Sequence, residues 1–121
     1  MGVEKETLRP GNGTDFPQHG DKVAINYTGC LYDTKAAKHN MGKEFDSSKS
    51  RGPLETTIGA GEVIKGWDEG VPQMSLGEKA ILTISGDYAY GEKGFPGLIP
   101  PNAGLVFEVE LIRINDKSVQ F

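Results

Sequence analysis

The stretch Glu62-Val63-Ile64-Lys65-Gly66-Trp67-Asp68-Glu69-Gly70-Val71 restricts the fold more than any other part of the chain. Val63, Ile64 and Trp67 recur three and four residues apart, which puts them on one face of a helix. Glu62 sits where a first turn favours an acid, and Gly70 followed by Pro72 reads as a stop. About two turns result, too few to persist in water alone. This helix, which carries the only tryptophan, must therefore be held against other elements. Gly59, Gly61 and Gly66 resemble a dinucleotide-binding fingerprint, but its third glycine belongs at position 64, which is Ile64. Gly59 and Gly61 read better as turn positions before the helix.

Most other regular segments read as strands. Val23, Ile25, Tyr27 and Leu31 alternate with Ala24, Asn26, Thr28 and Cys30 across 22–31, and Gly29 among them signals a bulge or a close neighbour. Residues 54–58 and 78–84 alternate as well, and 2–8 carry a weaker strand signal. In 105–114, Phe107, Val109 and Leu111 alternate before Ile112 and Ile114 change phase around Arg113, the mark of a bulge. Residues 32–44 form a polar, lysine-rich excursion with room for a helical turn at Ala36-Ala37, leading into a short edge strand at 44–47. A loop containing Ser50 follows, and a long irregular stretch covers 85–104. One short helix cannot supply the crossovers of a parallel sheet. The expected fold is α+β, a five- to six-stranded antiparallel sheet curled over the helix as one domain.

Conventional catalytic chemistry finds little support. His19 and His39 lie in polar loops without zinc-site spacing, and Ser85-Gly86-Asp87 is no nucleophile elbow. Cys30 is the single cysteine, so neither an intramolecular disulfide nor a cysteine-rich metal site is available. A net charge of -4 argues against nucleic acid or an anionic membrane as partner. A polar amino terminus and the lack of a long apolar run lead to the expectation of a cytoplasmic protein. What stands out is a set of aromatic residues near glycines and prolines: Tyr27, Phe45, Trp67, Tyr90, Phe95 and Phe107. Brought together, they would form a pocket for an apolar or proline-like group.

Tyr27-Thr28-Gly29, Phe45-Asp46-Ser47-Ser48, residues 62–70, Gly77-Glu78-Lys79-Ala80, Asp87-Tyr88-Ala89-Tyr90-Gly91, Ile99-Pro100-Pro101-Asn102-Ala103 and Leu105-Val106-Phe107 follow one another in a specific order. Together they resemble the small cytosolic FKBP-type peptidyl-prolyl cis-trans isomerases, the immunophilins that bind tacrolimus and rapamycin. The resemblance covers residues 2 to about 114. It implies a half-barrel around a short helix, no cofactor, and a pocket with Trp67 as floor and Tyr27, Phe45, Val63, Ile64 and Phe107 as walls. Asp46 would stand at the rim, paired with Tyr27 and Arg51. The Tyr90 hydroxyl and the Ile64 amide would be donors to a ligand, and Glu62 would offer its main-chain carbonyl. Leu54, Phe95 and Ile99 complete the implied ligand contacts, with Tyr27, Phe45, Asp46, Trp67, Tyr90 and Phe107 as the catalytic set.

The implied partners are proline-containing peptides or proteins and, with drug bound, calcineurin or the TOR kinase. A monomer is expected, with weak self-association through the proline-bearing loop 94–101. Three departures bear on the site. Leu54 stands where many members carry phenylalanine, after a loop one residue shorter. Phe95 stands where the best-known animal members carry histidine. Residues 35–42 resemble an insertion found in fungal members.

Overall fold

The chain, described by a computed structural model over residues 2–49 and 51–119, forms one antiparallel sheet against a short helix. The loop residue Ser50 lies outside the described residues. The strands are β1 (Val3–Arg9), β2 (Lys22–Tyr32), β3 (Met41–Ser47), β4 (Leu54–Thr57), β5 (Lys79–Ile84), β6 (Leu105–Ile114) and β7 (Lys117–Ser118). Their order is β1-β5-β6-β2-β3, with β4 on β2 and β7 on β6. The long β2 takes β3 along its carboxyl-terminal half and β4 along its first residues.

One face of the sheet supplies the core. Ile25, Tyr27 and Leu31 of β2 stand opposite Leu111, Val109 and Leu105 of β6, and Ala80, Leu82 and Ile84 continue the rows on β5. The pairing of β2 and β6 slips between Ala24 and Ile25, leaving Ile112 as the extra residue. This is the bulge announced by the change of phase, and it returns Ile114 to the buried face.

The helix departs from its expected bounds at its start. α1 spans Lys65–Gly70, and Ile64 is its extended N-cap with ψ 150°. Val63 and Ile64 thus precede the helix instead of sharing a helical face with Trp67. Glu62 is not a first-turn acid. Its carboxylate turns back to accept hydrogen bonds from the Thr56 hydroxyl and the Thr57 N–H, both at 3.0 Å. Asp68 occupies the first turn, and its carboxylate accepts from the Gly59 and Gly61 N–H groups at 2.9 and 3.1 Å. The carboxyl-terminal end agrees with the expectation: α1 stops at Gly70, ahead of Pro72. Pro72 sits in the first turn of a 3-10 helix, Val71–Gln73, where no N–H is required of it.

Gly66 sets the depth of this segment. A Cβ there would come within 2.5 Å of the Ile84 side chain, so glycine is what allows α1 to lie directly on β5. Three further differences concern the connections. No helical turn forms at Ala36-Ala37, β3 starts at Met41 instead of 44, and β7 raises the number of strands among the described residues to seven. The long stretch 85–104 holds two 3-10 turns, Gly86–Tyr88 and Gly91–Lys93, and a bridge between Phe95 and Ile99.

Candidate functional site

A hollow of about 450 Å³ opens between the residues entering α1, the core face of β2 and β6, β3, and the loop bearing Tyr90. Its lining is Tyr27, Phe45, Asp46, Leu54, Glu62, Val63, Ile64, Trp67, Tyr90 and Phe107, all of them expected in the site. Trp67 lies at the base, 3 % exposed. Tyr27 and Phe107 meet its ring edge-on at centroid distances of 5.1 and 5.2 Å, and Phe45 meets Phe107 edge-on at 5.7 Å. Edge-to-face packing stabilises such pairs and leaves ring faces and edges turned toward the space they enclose. The indole N–H is buried and finds no acceptor among the described residues.

β2 positions this wall through Gly29. A Cβ at that residue would lie 2.6 Å from Phe107 and 2.9 Å from Phe45, so the two rings meet only because no side chain intervenes. Gly29→Ala is expected to push both rings apart at a cost of about 1–3 kcal/mol and to raise KM for a proline peptide several-fold. Thermal unfolding and steady-state kinetics check this together, and unchanged values would refute the role assigned to the close approach.

At the rim, the Tyr27 hydroxyl donates to Asp46 Oδ2 at 2.6 Å. Arg51 donates to the Tyr27 oxygen at 2.9 Å, to Asp46 Oδ1 and to the Ser47 carbonyl. Burial, then the hydrogen bond and charge of Asp46, push the Tyr27 hydroxyl up to about 12, with Arg51 partly opposing them. Burial and the Asp46 charge also raise Tyr90. Both phenols are therefore neutral donors near neutral pH. Ser48 holds Tyr27 from behind: its hydroxyl accepts the Tyr27 N–H at 2.9 Å, and its own N–H donates to the Tyr27 carbonyl at 2.9 Å. Ser48 belongs to the block 45–48 that carries the family resemblance, but the sequence assigns it no role, because nothing in a serine-rich stretch tells which backbone it will bond.

Three expected ligand residues lie outside the lining. Arg51 reaches the hollow only through Asp46 and Tyr27. Phe95 is 50 % exposed and packs edge-on against Tyr90 at 5.9 Å, on the outer side of the rim. Ile99 is 4 % exposed and packs in the core cluster, although its bridge partner Phe95 faces outward.

Residues 13–112 match the family described as FKBP-type peptidyl-prolyl cis-trans isomerase. The chain belongs to that family. FK506-binding protein 1B of Aspergillus fumigatus is 75 % identical over 119 residues, covering 98 % of this chain and 99 % of the relative. A peptidyl-prolyl cis-trans isomerase of Schizosaccharomyces pombe is 59 % identical over 119 residues, covering 98 % and 99 %. FK506-binding protein 1 of Yarrowia lipolytica is 60 % identical over 116 residues, covering 95 % and 100 %.

As an FKBP-type isomerase, the protein binds proline-containing substrates and catalyses rotation about the bond preceding proline. The barrier to that rotation is roughly 20 kcal/mol because amide resonance is lost at the twisted geometry. No atom changes partners. A site whose lining holds no serine, cysteine or histidine is therefore suited to the reaction.

Proposed function

We propose that the hollow accelerates rotation by desolvating and stabilising a twisted prolyl amide, without a covalent intermediate, and that it also receives tacrolimus and rapamycin. The observation that carries this reading is the edge-to-face cup of Tyr27, Trp67, Phe107 and Phe45. The prolyl ring rests on Trp67 between Val63 and Phe107. The carbonyl before it enters a space bounded by aromatic edges, where water is scarce. Planar amide oxygen carries more negative charge than twisted amide oxygen, so losing water costs the planar state more. Among the described residues, the Ile64 N–H and the Tyr90 hydroxyl make no hydrogen bond, and the Glu62 carbonyl accepts none. They are suited to orient the backbone on either side of the proline.

The name FK506-binding protein, carried by relatives, supports drug binding in the same hollow. Phe95 and Leu98, half exposed beside Tyr90, would contribute to a composite surface for calcineurin or the TOR kinase once drug is bound, in the cytoplasm. Titration with a labelled tacrolimus analogue, followed by Trp67 fluorescence and by competition with a proline peptide, tests floor, hollow and drug together. Saturable quenching that also inhibits isomerisation is expected. Isomerisation without any quenching would refute the shared site.

Asp46 orders Tyr27 and Arg51 and transfers no proton. Asp46→Asn is accordingly expected to weaken ligand binding by about tenfold. It should leave kcat within about threefold of wild type. A loss of kcat of about a hundredfold or more in Asp46→Asn, with the fold intact by circular dichroism, would overturn this.

A further inference from the structure

The connection between β2 and β3 travels much farther than it needs to. His39 within it lies with Nδ1 3.8 Å from Oε1 of Glu6 on β1, although β1 and β3 occupy opposite ends of the strand order. From β2 to β1 is three ladder steps, about 14 Å at roughly 4.8 Å per step. β6 and β5 lie between β2 and β1, and Glu6, opposite Ile81, belongs to the face of the sheet turned away from the hollow. On that face also lie Cys30, Val106 and Ile81, which are 5 %, 0 % and 2 % exposed yet stand outside the core cluster. Cys30 stands beside Val106 on the neighbouring strand, and Ile81 beside Glu6.

We infer that residues 33–40 form a strap across the outer face of the sheet, and that His39 is a positioning residue for the Phe45–Asp46 wall of the hollow. The inference rests on the isomerase reading of that hollow. β3 needs such support. It ends the strand order, and its register with β2 breaks twice, between Gly29 and Cys30 and between Cys30 and Tyr32. At the first break Gly29 faces Asp46 and Cys30 faces Glu44, so Phe45 is the extra residue and its direction depends on a bulge. The strap runs directly into β3 at Met41. Its turn has His39 and Asn40 at φ 52° and 58°, and the Met41 N–H donates to the Lys38 carbonyl at 2.9 Å. With both central residues in the left-handed region and that bond closing it, this is a type I′ turn, whose shape is fixed locally. That turn sets His39 against Glu6 of β1, while the Asp33 N–H donates to the Asn40 carbonyl at 2.9 Å and ties the base of the strap to the end of β2.

The test uses the full chain with His39→Ala and, from the other side, Glu6→Lys, which faces the strap's lysines with a like charge. Cys30 reports opening: burial and the charges of Glu44 and Glu108 push its thiol up, so iodoacetamide reacts slowly while the strap is closed. Both variants are expected to speed alkylation about five- to tenfold through local opening, without a matching fall in the thermal midpoint. They should raise KM for a proline tetrapeptide about two- to fivefold with kcat nearly unchanged, and shift the Phe45 and Asp46 amide resonances. Unchanged alkylation in both variants overturns the strap. Faster alkylation with KM and both resonances unmoved overturns the positioning role, and alkylation that merely tracks global unfolding does the same. A wild-type protein without isomerase activity would instead count against the isomerase reading, since alkylation and resonances still report on the strap.

Discussion

Trp67→Ala is expected to lower kcat/KM toward a proline peptide by about a hundredfold and to destabilise the fold by about 3–5 kcal/mol. The two effects share a cause. The indole is buried at the base of the hollow and is the ring on which both Tyr27 and Phe107 pack edge-on. Removing it takes away the surface under the prolyl ring, which raises KM. It also frees the two flanking rings to collapse into the space, which lowers kcat. Trp67→Phe separates the contributions. It keeps an aromatic floor of smaller area and removes a buried N–H that has no acceptor among the described residues. The Phe variant should therefore recover most of the stability and only part of the activity. Thermal unfolding with peptide kinetics on both variants checks this, the Ala midpoint falling by roughly 10–20 °C. A folded Ala variant within about twofold of wild-type kcat/KM would show that the indole is not the floor.

The cup was legible in the sequence because each wall residue lies in a block of recognisable order, and because alternation in β2 and β6 turns Tyr27 and Phe107 toward the same side. Arg51, Phe95 and Ile99 show where that route ends. Residue order places all three near the hollow, but whether a side chain lines it depends on neighbours. Arg51 is taken up by Asp46 and Tyr27, Phe95 leans outward on Tyr90, and Ile99 packs in the core.

The fold divides in the same way. Period-two alternation located the central strands, and the change of phase after Leu111 located the bulge, since both are properties of consecutive residues. The stop at Gly70 was legible, but the start of α1 was not. Val63, Ile64 and Trp67 have helical spacing, yet Glu62 is captured by Thr56 and Thr57 and Ile64 stays extended. A tertiary contact thus overrides local periodicity in a segment too short to resist it. The path of residues 33–40 was hidden for a related reason. A polar, lysine-rich segment reads as solvated, and nothing within it announces a partner on β1.

Glu78 carries the second large effect. Its carboxylate is buried where β5 begins and accepts hydrogen bonds from Lys5 Nζ at 2.7 Å, the Thr7 hydroxyl at 2.8 Å and the Ser75 N–H at 3.0 Å. It ties β1 and the segment after α1 to the start of β5. Glu78→Ala is expected to cost about 2–4 kcal/mol, because Lys5 loses its partner and the buried Ser75 N–H is left without an acceptor. Burial alone would raise the carboxyl pKa, but the bonds from Lys5, Ser75 and Thr7 outweigh it and hold the group below the ordinary glutamate value of 4.5. A depressed folded pKa contributes stability that is fully present above the unfolded value and is lost as pH falls through the folded one. The stability difference between wild type and Glu78→Gln should therefore be constant above about pH 5 and shrink progressively below it. Urea unfolding of both proteins from pH 7 to pH 3 reads this difference directly. A gap that stayed constant through the acid range would mean that the Glu78 charge contributes nothing, and that the glutamine amide fails for reasons of shape alone.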